Sequence, residues 1–315
     1  QSIRRRVQFR KSLADLLIGP DGKVFCGFED GSKEGPFDII IGCDGIKSAV
    51  KEHIERGLIS ADASQREGKA TGIYTGIRIR YAVQLNAESK STSSSPVTLT
   101  QHFGRGCYCL DGAYGASASI TKSVFAIFLD NEFFGPFRRH ETTSSAQEEN
   151  ADWSQDCFKT DDGARSVMIR QLQDANIAED HLISTIQKSD RFFELGVYAH
   201  NPFCRWFNVI PESDRVYAVL CGDAAHALPP FLGQGANMAI QDAFCLATKI
   251  SEYNKAVAEL REEVDLKNFL KEYESTRWAP NFEIFLKASF LGYLETGGFD
   301  GNYSRFRDSF FKTMA

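Results

Sequence analysis

Residues 216–243, VYAVLCGDAAHALPPFLGQGANMAIQDA, limit the fold more than any other stretch of the chain. An almost wholly apolar run ends in Gly222-Asp223, two prolines follow at Pro229 and Pro230, and Gly233-Gln234-Gly235 leads into residues with helical spacing. A short run that is apolar at every position suits a strand buried on both faces, as in a parallel sheet. Prolines donate no backbone hydrogen bond and end such a strand. Glycines without Cβ let a flat ring or a phosphate approach the main chain, and the first turn of a helix offers unpaired N–H groups with partial positive charge. FDIIIGCDG, residues 37–45, repeats the form: apolar run, glycine, aspartate. Ligands of open α/β sheets collect beyond the carboxyl ends of the strands, so these two corners are the candidate sites. Taken singly, a Gly-Asp turn or a Gly-x-Gly helix start also reads as plain turn chemistry; their density over residues 221–243 is what points to a ligand.

The rest of the chain is patterned around those corners. Alternating residues on either side of Pro20-Asp21-Gly22 predict a hairpin, with a second turn at Asp30-Gly31. From Thr71 to Asp130, GIYTGIRIRYAV, PVTLTQHF, GCYCLDGAY and SVFAIFLD predict a largely antiparallel sheet, interrupted by the solvated loop NAESKSTSSSP. RRHETTSSAQEENADWSQD is expected to be an exposed insertion. From Asp161 to Lys188 the spacing of Val167, Leu172, Leu182, Ile183 and Ile186 is helical, and RFFELGVYAH returns to strand. A helix is expected from about Gly235 to Ser251, with Ala236, Ala239, Ala243 and Ala247 as a small-residue stripe for close packing. Two further helical segments, NKAVAELREEVDLKNFLKEYESTRW and NFEIFLKASFLGYL, close the chain, the latter reading as a packed amphipathic helix.

Composition narrows the partners. A net charge of −6 argues against a nucleic-acid or anionic-membrane surface, so any anion must be held locally. The eight cysteines include no Cys-x-x-Cys and no Cys/His spacing typical of zinc, which suits buried thiols in a reducing compartment such as the cytoplasm and predicts no metal. No run of 18 apolar residues exists, so no transmembrane helix is expected in a soluble chain.

The stretch 216–243 resembles the GDAAH…P..GQG.N.A..DA motif of class A flavoprotein monooxygenases, the family of para-hydroxybenzoate hydroxylase, salicylate hydroxylase and zeaxanthin epoxidase. FDIIIGCDGIKSAVK is similar to the family's second signature, with Asp44, Gly45 and Ser48 in place and Lys51 where arginine is usual. That exchange keeps the charge and loses a bidentate fork. The resemblance implies an FAD-binding, Rossmann-like α/β domain of glutathione-reductase type, interleaved with a mostly antiparallel substrate domain and followed by C-terminal helices. It implies that Asp223 binds ribityl or ribose hydroxyls of FAD and that Gly222 permits close approach. Pro229 is implied near the ring, Gly233, Gln234, Gly235, Ala236 and Asn237 at the isoalloxazine edge, and Asp44 and Gly45 near the pyrophosphate and the approach of the nicotinamide dinucleotide. The chemistry implied is NADPH or NADH reducing FAD, then dioxygen adding to give a C4a-hydroperoxide that hydroxylates or epoxidises an aromatic or isoprenoid-like small molecule. No side chain is assigned as catalytic: His226 reads as a corner histidine satisfied by backbone, and Arg277 and Trp278 as structural. Tyr74, Arg78, His102 and Tyr108 are candidate substrate contacts whose strand faces need a register to assign.

The family's Gly-x-Gly-x-x-Gly motif is missing: GRGCYC at Gly104 and GQGANM at Gly233 both fail at the last glycine. The expectation is therefore an incomplete FAD-binding domain whose missing part, about 100 residues or more, precedes Gln1, leaving a chain that binds FAD weakly or not at all. The expected division is residues 1–57 and 206–255 for the FAD-binding domain, 58–205 for the β-rich substrate domain and 256–315 for terminal helices. Two other readings stay open, a non-catalytic scaffold or interaction protein unable to load FAD, and a flavin reductase or oxidase of the same fold. The oligomeric state is left open.

Overall fold

The computed structural model describes residues 7–56, 72–87, 99–115, 120–129, 162–177, 179–213, 215–259, 264–298 and 302–314. Most of the NAESKSTSSSP loop, the whole RRHETTSSAQEENADWSQD segment and the expected boundary at 57/58 lie outside them. In chain order the elements begin with strands β1 (Leu13–Ile18), β2 (Val24–Phe28), β3 (Lys33–Phe37) and β4 (Ile39–Gly42), then helix α1 (Ala49–Arg56). Next come β5 (Ile73–Ala87), β6 (Leu99–Gly104), β7 (Cys107–Tyr114), β8 (Ile120–Leu129), α2 (Asp162–Asp174), α3 (Asp180–Gln187) and β9 (Arg191–Ala199). Then follow β10 (Phe207–Val209), β11 (Tyr217–Leu220), α4 (Asp223–His226), α5 (Gly235–Glu259), α6 (Leu266–Glu295) and α7 (Ser304–Met314).

Two compact units divide these elements, Gln1–Gly72 with Ala199–Leu286, and Ile73–Tyr198 with Lys287–Ala315. In the first, β11 and β4 pair in parallel, Tyr217 against Ile39 through Leu220 against Gly42, and β10 flanks β11 antiparallel. The two apolar runs thus lie side by side and end level, which brings both glycine-aspartate corners to the same edge of the sheet. β11, in the middle, is buried at every position. β4, expected to be buried on both faces, edges this sheet among the described residues, and Ile41 is 42% exposed. The predicted hairpin is β1–β2, turning through Gly22 at φ 72°, and Gly31 at φ 78° turns the chain from β2 into β3. The core of this unit gathers Leu220, Trp206, Ile210, Leu270 and Tyr273.

The second unit is built on a five-stranded sheet of order β6-β7-β8-β5-β9, with β6–β7, β7–β8 and β8–β5 antiparallel. Cys107, Cys109, Ala126 and Phe128 on one face pack against Met168 and Leu172 of α2 and Leu182 and Ile186 of α3. Val167, one of the residues in the helical spacing, is instead 39% exposed; its neighbour Met168 is the one that points inward.

Three helical expectations change. RVYAVLCGDAAH, expected as one buried strand through His226, is strand only over Tyr217–Leu220, and the short helix α4 takes Asp223–His226. α5 is buried along Met238, Asp242 and Leu246, not along the alanines, since Ala236, Ala243 and Ala247 are exposed. α5 runs past Ser251 to Glu259, taking the NKAVAE start of the first C-terminal segment, and from Leu266 the rest of that segment and the second are joined as α6, which continues through Pro280. An interior proline costs a helix about 3 kcal/mol, but Leu270, Tyr273, Arg277, Asn281 and Phe285 form one buried stripe along successive turns, and tertiary burial overrides the local break. No helix among the described residues is long and apolar enough to cross a membrane.

Candidate functional site

The two corners use their aspartates differently. At the first, the Asp44 carboxylate accepts the N–H of Ala49 at 2.8 Å and, more weakly, of Val50 at 3.5 Å. Ser48 Oγ accepts the N–H of Lys51 at 2.9 Å, so both side chains satisfy the open donors of α1. Gly45 has φ 79° and open space where a side chain would stand. Lys51 is fully buried, its ammonium 3.4 Å from Glu55 Oε1.

At the second corner Gly222 sits at φ 65° and ψ −143°, and a Cβ there would lie 3.0 Å from the Cβ of Ala239. Only glycine lets the strand end approach α5 so closely. Asp223, exposed at the head of α4, stands with Oδ1 3.7 Å from the position of a Cβ on Gly235, the first residue of α5. Pro229 is buried, and Gly233 takes the left-handed conformation at φ 61° with nothing around its open side. Gln234 Oε1 accepts from Asn237 Nδ2 at 3.0 Å, tying the turn to the first helical turn. Ala236 and Asn237 are exposed, and no acidic side chain sits in that turn. The arrangement is a carboxylate acceptor beside an unobstructed helix N-terminus framed by glycines, able to bind hydroxyls at one end and a ring edge with partial negative charge at the other.

What holds this corner was not singled out in the sequence. Asp242 on α5 is completely buried; one carboxylate oxygen accepts the Gly222 N–H at 3.1 Å and contacts His226 Nε2, and the other accepts Arg277 Nε at 2.7 Å and Asn281 Nδ2 at 3.4 Å. Burial pushes its carboxyl up, but the hydrogen bond and charge of His226, with Arg277 and the Gly222 N–H, outweigh burial and lower it. The signal was present: Asp242 is the aspartate of the closing DA in the motif quoted above, 20 positions after Gly222, but no role was read for it. His226 therefore finds a side-chain carboxylate and the tilted ring of Trp206, ring centres 5.0 Å apart, rather than the backbone partner expected. Arg277 also reaches Gln241 at 3.0 Å, and Trp278 donates to the Pro202 carbonyl at 2.7 Å.

Two thiols face each other between the corners. The Cys221 N–H bonds the Gly42 carbonyl at 2.9 Å, continuing the parallel register so that Cys221 stands beside Cys43. Their side-chain hydrogen bond lowers the Cys43 thiol to about 7 against opposing burial and the nearby Asp44 and Asp242 charges, and that bond together with burial raises Cys221.

The sheet register separates the candidate substrate contacts. Arg78 pairs with Phe128 and His102 with Cys109, placing both on the face covered by α2 and α3, whereas Tyr108 pairs with Ile127 on the other face. They cannot all line one pocket. Arg78 pairs with Glu194 at 3.1 Å, and Tyr74 lies against Tyr198 with ring centres 5.3 Å apart. Tyr108 is buried, which together with Glu295 raises its hydroxyl to about 12.

Comparison with known proteins agrees with this geometry. Residues 212–277, which hold the second corner and its Arg277 tie, match the FAD binding domain family. FAD-dependent monooxygenase eupB of Phoma sp is 25% identical over 257 residues, covering 81% of this chain and 50% of that protein. Salicylate hydroxylase asL1 of Sarocladium schorii is 25% identical over 254 residues, covering 80% and 45%. Among solved structures, Klebsiella pneumoniae HpxO complexed with FAD and uric acid superposes with a TM-score of 0.58 at 18% identity, covering 99% of this chain and 63% of that one. The chain thus has the mixed α/β fold of FAD-binding monooxygenases and spans about half the length of the curated relatives it matches.

Proposed function

We propose that this relative of FAD-dependent monooxygenases uses the Gly222–Asn237 corner to hold the ribityl and ring-bearing half of FAD, within an enzyme that oxygenates a small molecule. The observation that carries the reading is the Asp223 carboxylate set beside the glycine-framed start of α5. Asp223 accepts hydroxyl hydrogen bonds, and the N–H groups of Gly235, Ala236 and Asn237 face the ring edge. Gly222 and Gly233 keep the approach free of side chains, and buried Pro229 stiffens the loop between them. Asp44 and Gly45 border the dinucleotide's pyrophosphate, Asp44 acting through the backbone it orders at α1. When bound, FAD supplies the redox chemistry, accepting hydride from NADPH or NADH and activating dioxygen for transfer of one oxygen atom. The chain's own part is electrostatic and positional: the α5 N-terminus stabilises negative charge at the ring edge, and Asp242 keeps the strand end and α5 in fixed relation.

Flavin titration followed by fluorescence quenching tests the assignment. A corner that reads hydroxyls and ring, not adenosine, binds FMN and FAD with affinities within about threefold of each other, and Asp223→Ala weakens both at least tenfold, a loss of about 1.4 kcal/mol. An affinity unchanged in Asp223→Ala in the complete enzyme overturns it. In the complete enzyme, NAD(P)H consumption with stoichiometric incorporation of oxygen into product distinguishes a monooxygenase from a flavin reductase or oxidase.

A further inference from the structure

A second set of chemically capable side chains sits in the other unit, on the helix-covered face of the five-stranded sheet. His102 of β6 pairs with Cys109 and Thr100 with Asp111 of β7, so His102 and Asp111 are diagonal neighbours on one face. Glu179 and His181 arrive from the start of α3. The four close a ring of contacts. Asp111 faces both Nε2 atoms, at 2.6 Å from His102 and 3.4 Å from His181; Glu179 faces both Nδ1 atoms, at 3.2 and 3.3 Å. Glu179 stands at the N-cap position of α3 yet makes no side-chain capping bond, its carboxylate being turned to the imidazoles instead.

The protons of this ring do not balance with neutral imidazoles. Carboxylates only accept, and each neutral imidazole has one N–H and one lone pair. With Glu179 accepting from both Nδ1–H groups, two Nε2 lone pairs point at the oxygens of Asp111. A cation between them resolves the clash, and a carboxylate behind each ligating imidazole is the usual way such rings are oriented. The ligand atoms of His102, Asp111 and His181 lie within 4.8 Å of one another; a tetrahedral ion with bonds of about 2.1 Å needs its ligands roughly 3.4 Å apart, the distance His181 Nε2 already keeps from Asp111, while His102 Nε2, at 2.6 Å, has to draw back from the carboxylate by under about 1 Å to admit it. His102 and Asp111 are largely covered, with side chains 10% and 17% exposed, while His181 at 55% leaves an entry path.

We propose that His102 Nε2, His181 Nε2 and the Asp111 carboxylate form a binding site for a first-row divalent cation of the zinc class, with Glu179 fixing both rings from behind. Two nitrogens and one oxygen suit zinc, cobalt or nickel and disfavour magnesium or calcium. Linear spacing does not reveal the site, because its residues come from two strands and a helix start brought together by the sheet register.

The test is calorimetric titration of zinc chloride into the tag-free, chelator-treated full chain, with cobalt(II) absorption as a reporter of geometry. One zinc per chain at micromolar affinity or tighter is expected, with His181→Ala and Asp111→Asn each weakening binding at least tenfold and magnesium chloride giving no heat. His181 is exposed enough for its replacement to leave the fold intact, which circular dichroism checks. Absence of saturable zinc binding, or an affinity within threefold of the parent in either variant, overturns the site and leaves the four residues as an ion-pair staple. Flavin plays no part in the readout, so failure here is separate from failure of the flavin assignment.

Discussion

The two strand-end corners begin from the same pattern and end in different states. Both follow an apolar strand, both carry a glycine at positive φ and an exposed aspartate, and their strands pair in register. At the first corner the aspartate is committed: Asp44 caps α1, and Ser48 caps it again. At the second the structural bonds are made by Asp242, 20 positions away in sequence, so Asp223 is left to present its carboxylate beside the α5 N-terminus. A motif aspartate is free for a ligand only where another group has taken over holding the backbone.

Removing that other group is the strongest way to break the comparison. Asp242→Ala leaves Arg277, His226 and the Gly222 N–H facing a void, and loss of one partner of a buried ion pair costs about 3–5 kcal/mol; urea unfolding should show it, with Asp44→Ala far milder. The same carboxylate gives an acid signature. Its folded pKa lies below the ordinary 3.8, so its contribution is complete above that value and declines as pH falls through the lowered one. Acid titration of wild type against Asp242→Asn should therefore show the two stability curves converging below about pH 4.

Next in size is Gly222→Ala, which forces a side chain into a left-handed backbone and against Ala239, for about 1–3 kcal/mol; Gly45→Ala, with open space around it, suffers only the backbone strain. Smaller again, Asp44→Ala and Ser48→Ala each remove a cap from α1 and lower stability by about 1 kcal/mol. Asp223→Ala, by contrast, is expected to leave the unfolding midpoint unchanged while weakening flavin binding. If Asp44→Ala weakens flavin binding as much as Asp223→Ala and spares stability, the contrast between the corners fails. The mildest probe is chemical. Iodoacetamide should label Cys43 with a midpoint near pH 7 and leave Cys221 unlabelled in the folded protein, as mass spectrometry of the alkylated peptides would report.

Much of this was legible in the order of residues. The hairpin at Pro20-Asp21-Gly22, the antiparallel strands between 73 and 129, the buried strand β11 and the glycine-led start of α5 all follow from local period and turn chemistry. The likeness to flavoprotein monooxygenases could be read from two short signatures. Other features escaped because they depend on what a residue meets. Pro280 ends a helix by local rules, yet α6 runs through it along a buried stripe; the alanines of α5 suggest close packing, yet Met238, Asp242 and Leu246 are the residues that face inward.

The sequence by itself determined where the strand ends, glycines and aspartates stand, because φ freedom, missing N–H groups and apolar period are properties of the residues and their nearest neighbours. Only the tertiary structure decided which aspartate holds the corner, that Cys43 and Cys221 stand side by side, that Arg78 and Tyr108 lie on opposite faces, and that His102, Asp111, Glu179 and His181 meet. Strand register and helix docking join residues far apart in the chain, and no local pattern encodes a shift of one residue that would turn every side chain to the other face.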